Sequence, residues 1–259
     1  MIELIVHGAA GRMGRRVLAL AAERAAEFAI VAGVDREPGT LRGLGIASEA
    51  PLLTETPARP GAVVVDFSHH SAFAPLVQHC AAHGMALVSG TTGIAPEVVD
   101  RELAAAAARI ACLHAGNMSV GVTVLLDAVA RLAKALGEGY DIEIVEAHHR
   151  HKADAPSGTA LALADAIAAA TGRTRRDYCY GRQGQTGARR SGEIGIHALR
   201  LGDVVGDHTV WFVGRGERIL VGHIAHTRDI FAEGALRAAA FLAQAGPGRY
   251  SMRQVLGLA

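Results

Sequence analysis

Through the first half of the chain, short apolar runs alternate with longer stretches whose apolar residues recur every three or four positions. Runs near 2–6, 28–35, 62–67, 85–89 and 110–114 read as strands. The alanine-rich intervals 15–26 and 96–109 read as helices, with Pro96 suited to a first helical turn. Alternation of this kind builds βαβ units, so this half is expected to form an open, doubly wound parallel sheet. After Ser119 the pattern changes: a long apolar helix over 120–136, a strand over 140–147, a polar histidine-rich loop, then a helix over 158–170. Residues 172–192 are rich in Gly, Arg and Gln with little periodicity. They read as a long loop whose arginines as far as Arg182 form a solvated face. Three strand-like runs follow, 193–200, 208–213 and 218–225, separated by Gly-Asp and Gly-Arg-Gly turns, and they predict an antiparallel or mixed sheet. A final helix, 231–244, resembles those of the first half, so the chain is expected to return there to finish its packing. The class is therefore α/β, with a second, α+β domain.

Composition narrows the functional classes. A length of 259 residues, half of them hydrophobic and a fifth charged, suits two modest globular domains and excludes a disordered chain. A formal net charge of +1 lacks the basic surplus that drives counterion release on nucleic acid, so no nucleic-acid partner is expected. Cys80, Cys112 and Cys179 are scattered, forming neither a CxxC pair nor a disulfide framework; this excludes a zinc ribbon and suits a reducing, cytoplasmic setting. The opening Met-Ile-Glu-Leu-Ile-Val has no basic leader and no apolar run approaches a membrane span, so neither export nor anchoring is expected.

The first candidate chemistry is G-A-A-G-R-M-G, Gly8 to Gly14, between a strand and a helix. Glycine permits the tight turn and close backbone approach to a pyrophosphate, which the helix N-terminus favours. The spacing is GxxGxxG where GxGxxG is commoner. Asp35, ending the second strand, adds a carboxylate for the adenosine ribose hydroxyls. The competing reading is that three glycines only let a helix lie close on a strand. Asp35 repels a 2′-phosphate while the adjacent Arg36 can pair with it, so NADH use is expected, with NADPH accepted and comparable. Ser89-Gly-Thr-Thr-Gly93 and Ala115-Gly-Asn-Met-Ser119 follow the fourth and fifth strands and are expected at the same crevice, or else are plain turns.

The second is E-A-H-H-R-H-K-A-D-A-P-S-G-T-A, Glu146 to Ala160. Its five consecutive basic or titratable residues are unsuited to a core, and three clustered histidines exceed what a solvated face needs. A metal site fits poorly, because Arg150 and Lys152 repel a cation and no nearby cysteine completes a set. An anionic substrate fits better. Ser157 is a good N-cap, placing Gly158 and Thr159 at a helix start where a carboxylate is favoured, with His149 opposite to hold the other end of a small dicarboxylate. A capped helix with no ligand is the plainer alternative.

Taken together, G-A-A-G-R-M-G, S-G-T-T-G, N-M-S-V-G and the complete histidine loop resemble bacterial dihydrodipicolinate reductases, also called 4-hydroxy-tetrahydrodipicolinate reductases, over nearly the whole chain. The resemblance implies a Rossmann-type nucleotide domain, 1–118 plus 230–259, and a substrate-binding domain, 119–229, through which a homotetramer assembles. It implies His148 as acid/base, Lys152 as proton donor, and His149, Gly158 and Thr159 as substrate ligands. Gly8, Ala9, Ala10, Gly11, Arg12, Met13, Asp35, Arg36, Gly90, Thr91, Thr92, Ala115, Gly116, Asn117 and Met118 would line the cofactor, NADH or NADPH. The reaction implied is hydride addition to a cyclic imine dicarboxylate in the diaminopimelate route to lysine. Two rivals remain: a Rossmann reductase of another small acid, which has no need of the full histidine loop, and a dinucleotide-sensing regulator, which would need a nucleic-acid module that the sequence does not display.

Overall fold

The computed structural model describes residues 1–258. Contacts within the chain divide it into Met1–Val120 together with the chain from Asp229 on, and Gly121–Arg228. The first unit runs β1 (Ile2–His7), α1 (Arg12–Glu23), β2 (Phe28–Val34), β3 (Gly39–Thr40), β4 (Pro51–Leu53), β5 (Val63–Asp66), α2 (Phe73–His83), β6 (Ala86–Ser89), α3 (Pro96–Ala106) and β7 (Ala111–His114). The second contains α4 (Val120–Leu136), β8 (Asp141–His148), α5 (Gly158–Thr171), β9 (Tyr178–Tyr180), β10 (Ile194–Arg200), β11 (Gly206–Val213) and β12 (Arg218–Ala225). The chain then returns to the first unit with α6 (Asp229–Leu242), β13 (Gly248–Tyr250) and α7 (Met252–Val255).

The first sheet has the order β13-β7-β6-β5-β1-β2-β4-β3, and only the β3–β4 pair is antiparallel. Helices on both faces explain why β5, Val-Val-Val-Asp, is buried at every position. Leu4, Val6, Val63 and Val65 pack with Val17 of α1 and Leu236 of α6 on one face. Ile5, Val64 and Leu87 pack with Phe73 of α2 and Leu103 of α3 on the other. From β1 the chain adds β2 on one side and then β5 on the other. That reversal opens a crevice at the carboxyl ends of β1 and β5.

The second sheet has the order β12-β11-β8-β10-β9. β8, β10 and β9 are parallel, and β11 is antiparallel to both neighbours, so the sheet is mixed. Ile142, Ile144 and Phe212 pack against Val129 of α4 and Leu163 and Ile167 of α5. The opposite face leaves Leu220 at 46% and Ile224 at 62% exposed.

Three expectations change. Helix α1 starts at Arg12, three residues earlier than the periodicity predicts, because the glycine turn runs straight into it from Gly11 at the N-cap. Residues 172–192 are not a structureless loop: they hold a 3-10 turn, Arg175–Asp177, and strand β9. Nor are the loop's arginines simply solvated. Arg182 pairs with Glu143 and Glu193, Arg175 with Asp165, and Arg173 donates to the Gly192 carbonyl. Their partners, carboxylates and one carbonyl ten or more positions away, are not revealed by local pattern. Among the described residues no helix is long and apolar enough to cross a membrane.

Candidate active site

In the first unit the glycine turn closes over the β1 end. Gly8 has φ +81°, and a Cβ there would sit 2.6 Å from the Phe67 carbonyl oxygen, so only glycine fits. A Cβ on Gly14 would lie 2.1 Å from the Gly8 oxygen, so this third glycine does let α1 press on the turn. The turn's own amides are largely committed. Those of Gly8 and Ala9 donate to the Val34 carbonyl, that of Gly11 to the Gly8 carbonyl, and that of Ala10 to Asp35 Oδ2 at 2.8 Å. What remains for an anion is the first turn of α1, whose N-cap, Gly11, brings no side-chain cap and whose first turn carries no acid. The amides of Arg12 and Met13 have no acceptor within the helix. Ala9 is fully buried, and its side chain belongs to the core.

Asp35 Oδ1 also accepts the Arg36 amide at 2.8 Å, so this carboxylate ties the end of β2 to the glycine turn. Asp35 and Arg36 border a cleft of about 740 Å³ together with Gly8, Ala10 and Gly11. Arg15 and Arg36 border a second cleft beside Asp35. A third, of about 380 Å³, brings together Arg12, Met13, Gly90, Thr91, Thr92 and Met118, with Gly116 also on its wall. Ala115 and Asn117 do not line it: the Ala115 amide donates to the Ser89 carbonyl, and Asn117 Oδ1 accepts the Ser119 amide.

The residue that organises this crevice is Asp66, at the end of β5, which belongs to none of the sequence motifs. Fully buried, it accepts from the Ser89 hydroxyl at 2.7 Å, the Thr91 hydroxyl at 2.8 Å and the Ser68 amide at 3.0 Å, and meets His7 Nδ1 at 3.3 Å. Burial pushes its pKa upward, but hydrogen bonds from His7, Ser68, Ser89 and Thr91 outweigh this and hold it below the ordinary value. An aspartate closing a wholly apolar strand was the available signal.

In the second unit β8 delivers Glu146 and His148 to the histidine loop, and α5 starts at its far end. His148 Nδ1 lies 2.6 Å from Glu146 Oε2. The Lys152 ammonium donates to both Asp154 carboxylate oxygens at 2.8 Å, and its backbone amide donates to the His149 carbonyl. Asp154 is held below its usual pKa mainly by that lysine. His149 is also lowered, by desolvation first and then by the positive fields of Arg228, His151, His148 and Lys152. Its Nδ1 is buried with no partner among the described residues. The Ser157 hydroxyl caps α5 by accepting the Ala160 amide at 3.1 Å, leaving Gly158 exposed and Thr159 half-buried in the first turn. Buried His208, 2.9 Å from that hydroxyl, is pushed down to about 4 by desolvation and then by His148. His208 and Arg200 were not singled out from sequence, because both come from strands remote along the chain. No group of three potential ligands among the described residues is placed to hold a metal ion.

Residues 2–118 match the family described as dihydrodipicolinate reductase, N-terminus, and residues 121–256 the one described as dihydrodipicolinate reductase, C-terminus. The 4-hydroxy-tetrahydrodipicolinate reductase of Anaeromyxobacter sp. (strain Fw109-5) is 47% identical, covering 100% of this chain and 98% of the relative. The enzyme of that name from Myxococcus xanthus (strain DK1622) is 44% identical over 99% and 98%. Among solved structures, the dipicolinate-bound dihydrodipicolinate reductase from Paenisporosarcina sp. TG-14 superposes with a TM-score of 0.75 at 23% identity, covering 97% of each chain, a likeness of fold.

Proposed function

The chain belongs to the dihydrodipicolinate reductase family, and from there we propose how its residues divide the work. The protein is an oxidoreductase that reduces 4-hydroxy-tetrahydrodipicolinate, by way of dihydrodipicolinate, to tetrahydrodipicolinate with a reduced nicotinamide dinucleotide. The reaction belongs to the diaminopimelate route to lysine. The observation that carries the substrate reading is the histidine loop: a cluster of cationic and titratable nitrogens around His149, whose buried Nδ1 has no hydrogen-bond partner among the described residues, followed directly by a helix start.

The uncapped start of α1 fits a pyrophosphate, held by the amides of Arg12 and Met13, and Asp35 fits the adenosine ribose. A bound nicotinamide supplies the hydride. Gly90, Thr91, Thr92, Gly116 and Met118 border the cleft assigned to the nicotinamide end, with the Thr91 hydroxyl held by Asp66. The remaining members of the cofactor set, Gly8 to Gly11, Ala115 and Asn117, shape the backbone around it. Both dinucleotides are accepted, because Arg15 and Arg36 flank Asp35 and can meet a 2′-phosphate. On the substrate side, His149 and the first turn of α5, Gly158 and Thr159, hold the two carboxylates. Lys152 gives the proton that quenches the electron density left by hydride addition, and His148 serves as acid/base beside it. The homotetramer that the family resemblance implies would assemble through the second unit, where the sheet face around Leu220 and Ile224 is uncovered. The free thiols Cys80, Cys112 and Cys179 fit a cytoplasmic location.

The test is a coupled assay in which an upstream synthase makes the unstable substrate and nicotinamide absorbance is followed. Synthase-dependent oxidation of NADH and of NADPH is expected; oxidation of neither would remove the reading. Arg36→Ala should weaken NADPH by roughly 1.5 to 3 kcal/mol more than NADH, the worth of a charge-assisted hydrogen bond. Equal losses for the two cofactors would remove Arg36 from phosphate recognition.

A further inference from the structure

Glu146 is fully buried, and two of its neighbours, through three nitrogen groups, can only donate to it. Arg200 Nη1 lies 3.0 Å from both carboxylate oxygens, Arg200 Nη2 lies 3.0 Å from Oε1, and the Ser157 amide reaches Oε1 at 3.1 Å. Arg200 is itself anchored, with Nη2 also donating to the Asp154 carbonyl. A carboxylate that already receives these donors presents only acceptor capacity to its remaining partner, His148 Nδ1 at 2.6 Å. The proton between them therefore sits on Nδ1. On the other side of the ring Nε2 lies over Gly206, where a Cβ would come within 3.1 Å of it. The ring of His208 lies edge-on to that of His148 at 5.2 Å.

We propose that Glu146, locked by Arg200 and the Ser157 amide, is the positioning residue of His148: it fixes the tautomer protonated at Nδ1 and so makes Nε2 the nitrogen offered to the substrate. The inference rests on the reading of His148 as acid/base. Glu146 does not touch the reacting atoms. It acts by orienting the ring, as carboxylates behind functional histidines do elsewhere. An amide at 146 cannot satisfy the same set. Its oxygen is needed by the Ser157 amide and Arg200, which turns its NH2 toward His148 Nδ1 and drives the ring proton to Nε2.

The experiment combines nitrogen NMR of 15N-histidine-labelled protein with steady-state kinetics. In the unaltered chain the neutral His148 ring should show a protonated Nδ1 and a bare Nε2. Glu146→Gln should exchange the two signals and lower kcat by about 10- to 100-fold, with KM for the substrate and NADH affinity moving little. Glu146→Asp keeps the acceptor, so it should retain the native tautomer and recover part of kcat. A native ring protonated at Nε2 would overturn the proposal, as would native kcat in Glu146→Gln. If Glu146→Gln does not fold, the unaltered chain and Glu146→Asp still decide the matter by the same two readouts. His148→Gln, run alongside, tests the separate reading: native kcat there would remove His148 from catalysis, whereas the tautomer signal judges Glu146 by itself.

Discussion

Ser157 joins three features through one residue: its hydroxyl caps α5 and meets His208, and its amide steadies Glu146. The cap was legible because a serine before Gly-Thr-Ala is a local signal. The other two bonds were not, because His208 lies 51 positions away and Glu146 lies across the loop. His208 gives the clearest pH prediction. Its pKa falls from 6.5 to about 4 on folding, so between those values the unfolded chain binds more protons. The stability contributed by the neutral, buried ring is complete above about pH 6.5 and is lost as pH falls toward about 4. The total is on the order of 3 kcal/mol. Thermal melts of His208→Gln should therefore fall less steeply with acid over that interval than those of the unaltered chain; parallel curves would contradict the assignment. At Thr159, replacement by Val deletes the hydroxyl and keeps the shape. KM should rise, and competitive inhibition by pyridine-2,6-dicarboxylate should weaken, without loss of fold. Unchanged values for both would remove the hydroxyl from substrate binding.

At the scale of elements, the periodic ones were legible and the short ones were not. Strands β1, β2, β5, β6 and β7 lie within a residue or two of their predicted positions, because β-branched runs bounded by turns are strong local signals. β3, β4, β9 and β13 span two or three residues and are stabilised by a neighbouring strand, which leaves no periodicity to read. β9 sits in the arginine-rich stretch held by Glu143. That carboxylate meets Arg182, Arg189 and His197. Burial opposes its charge, but these partners, Arg182 foremost, bring its pKa down from 4.5 to about 2. The stabilisation is present above about pH 4.5 and is lost as pH falls toward about 2. Glu143→Gln should therefore lower the melting temperature at pH 7, and the gap from the unaltered chain should narrow below pH 4.5. A gap independent of pH would show that packing, not charge, is what the substitution removes.

At the scale of the whole molecule, the return of the chain to the first unit is expected from α6 alone, which shares the alanine-rich character of the early helices; β13 and α7 after it carry no such signal. The apolar face of the second sheet was not legible. Alternation along β12 marks two faces, and covering one with α4 and α5 leaves the other for a partner. Light scattering at micromolar concentration should show a tetramer, and Ile224→Glu should break it into smaller species; a monomeric unaltered chain would contradict this assembly. In the proposed division of labour the first unit holds the dinucleotide and the second supplies the proton. Lys152→Ala tests it most directly, with steady-state kinetics on synthase-made substrate and NADH affinity measured separately. If Lys152 is the proton donor, kcat should fall by about 10² to 10⁴, the range for loss of a general acid, while NADH binds as before. A rise in KM alone, with kcat near that of the unaltered chain, would contradict it and leave Lys152 only an electrostatic attraction for the dicarboxylate.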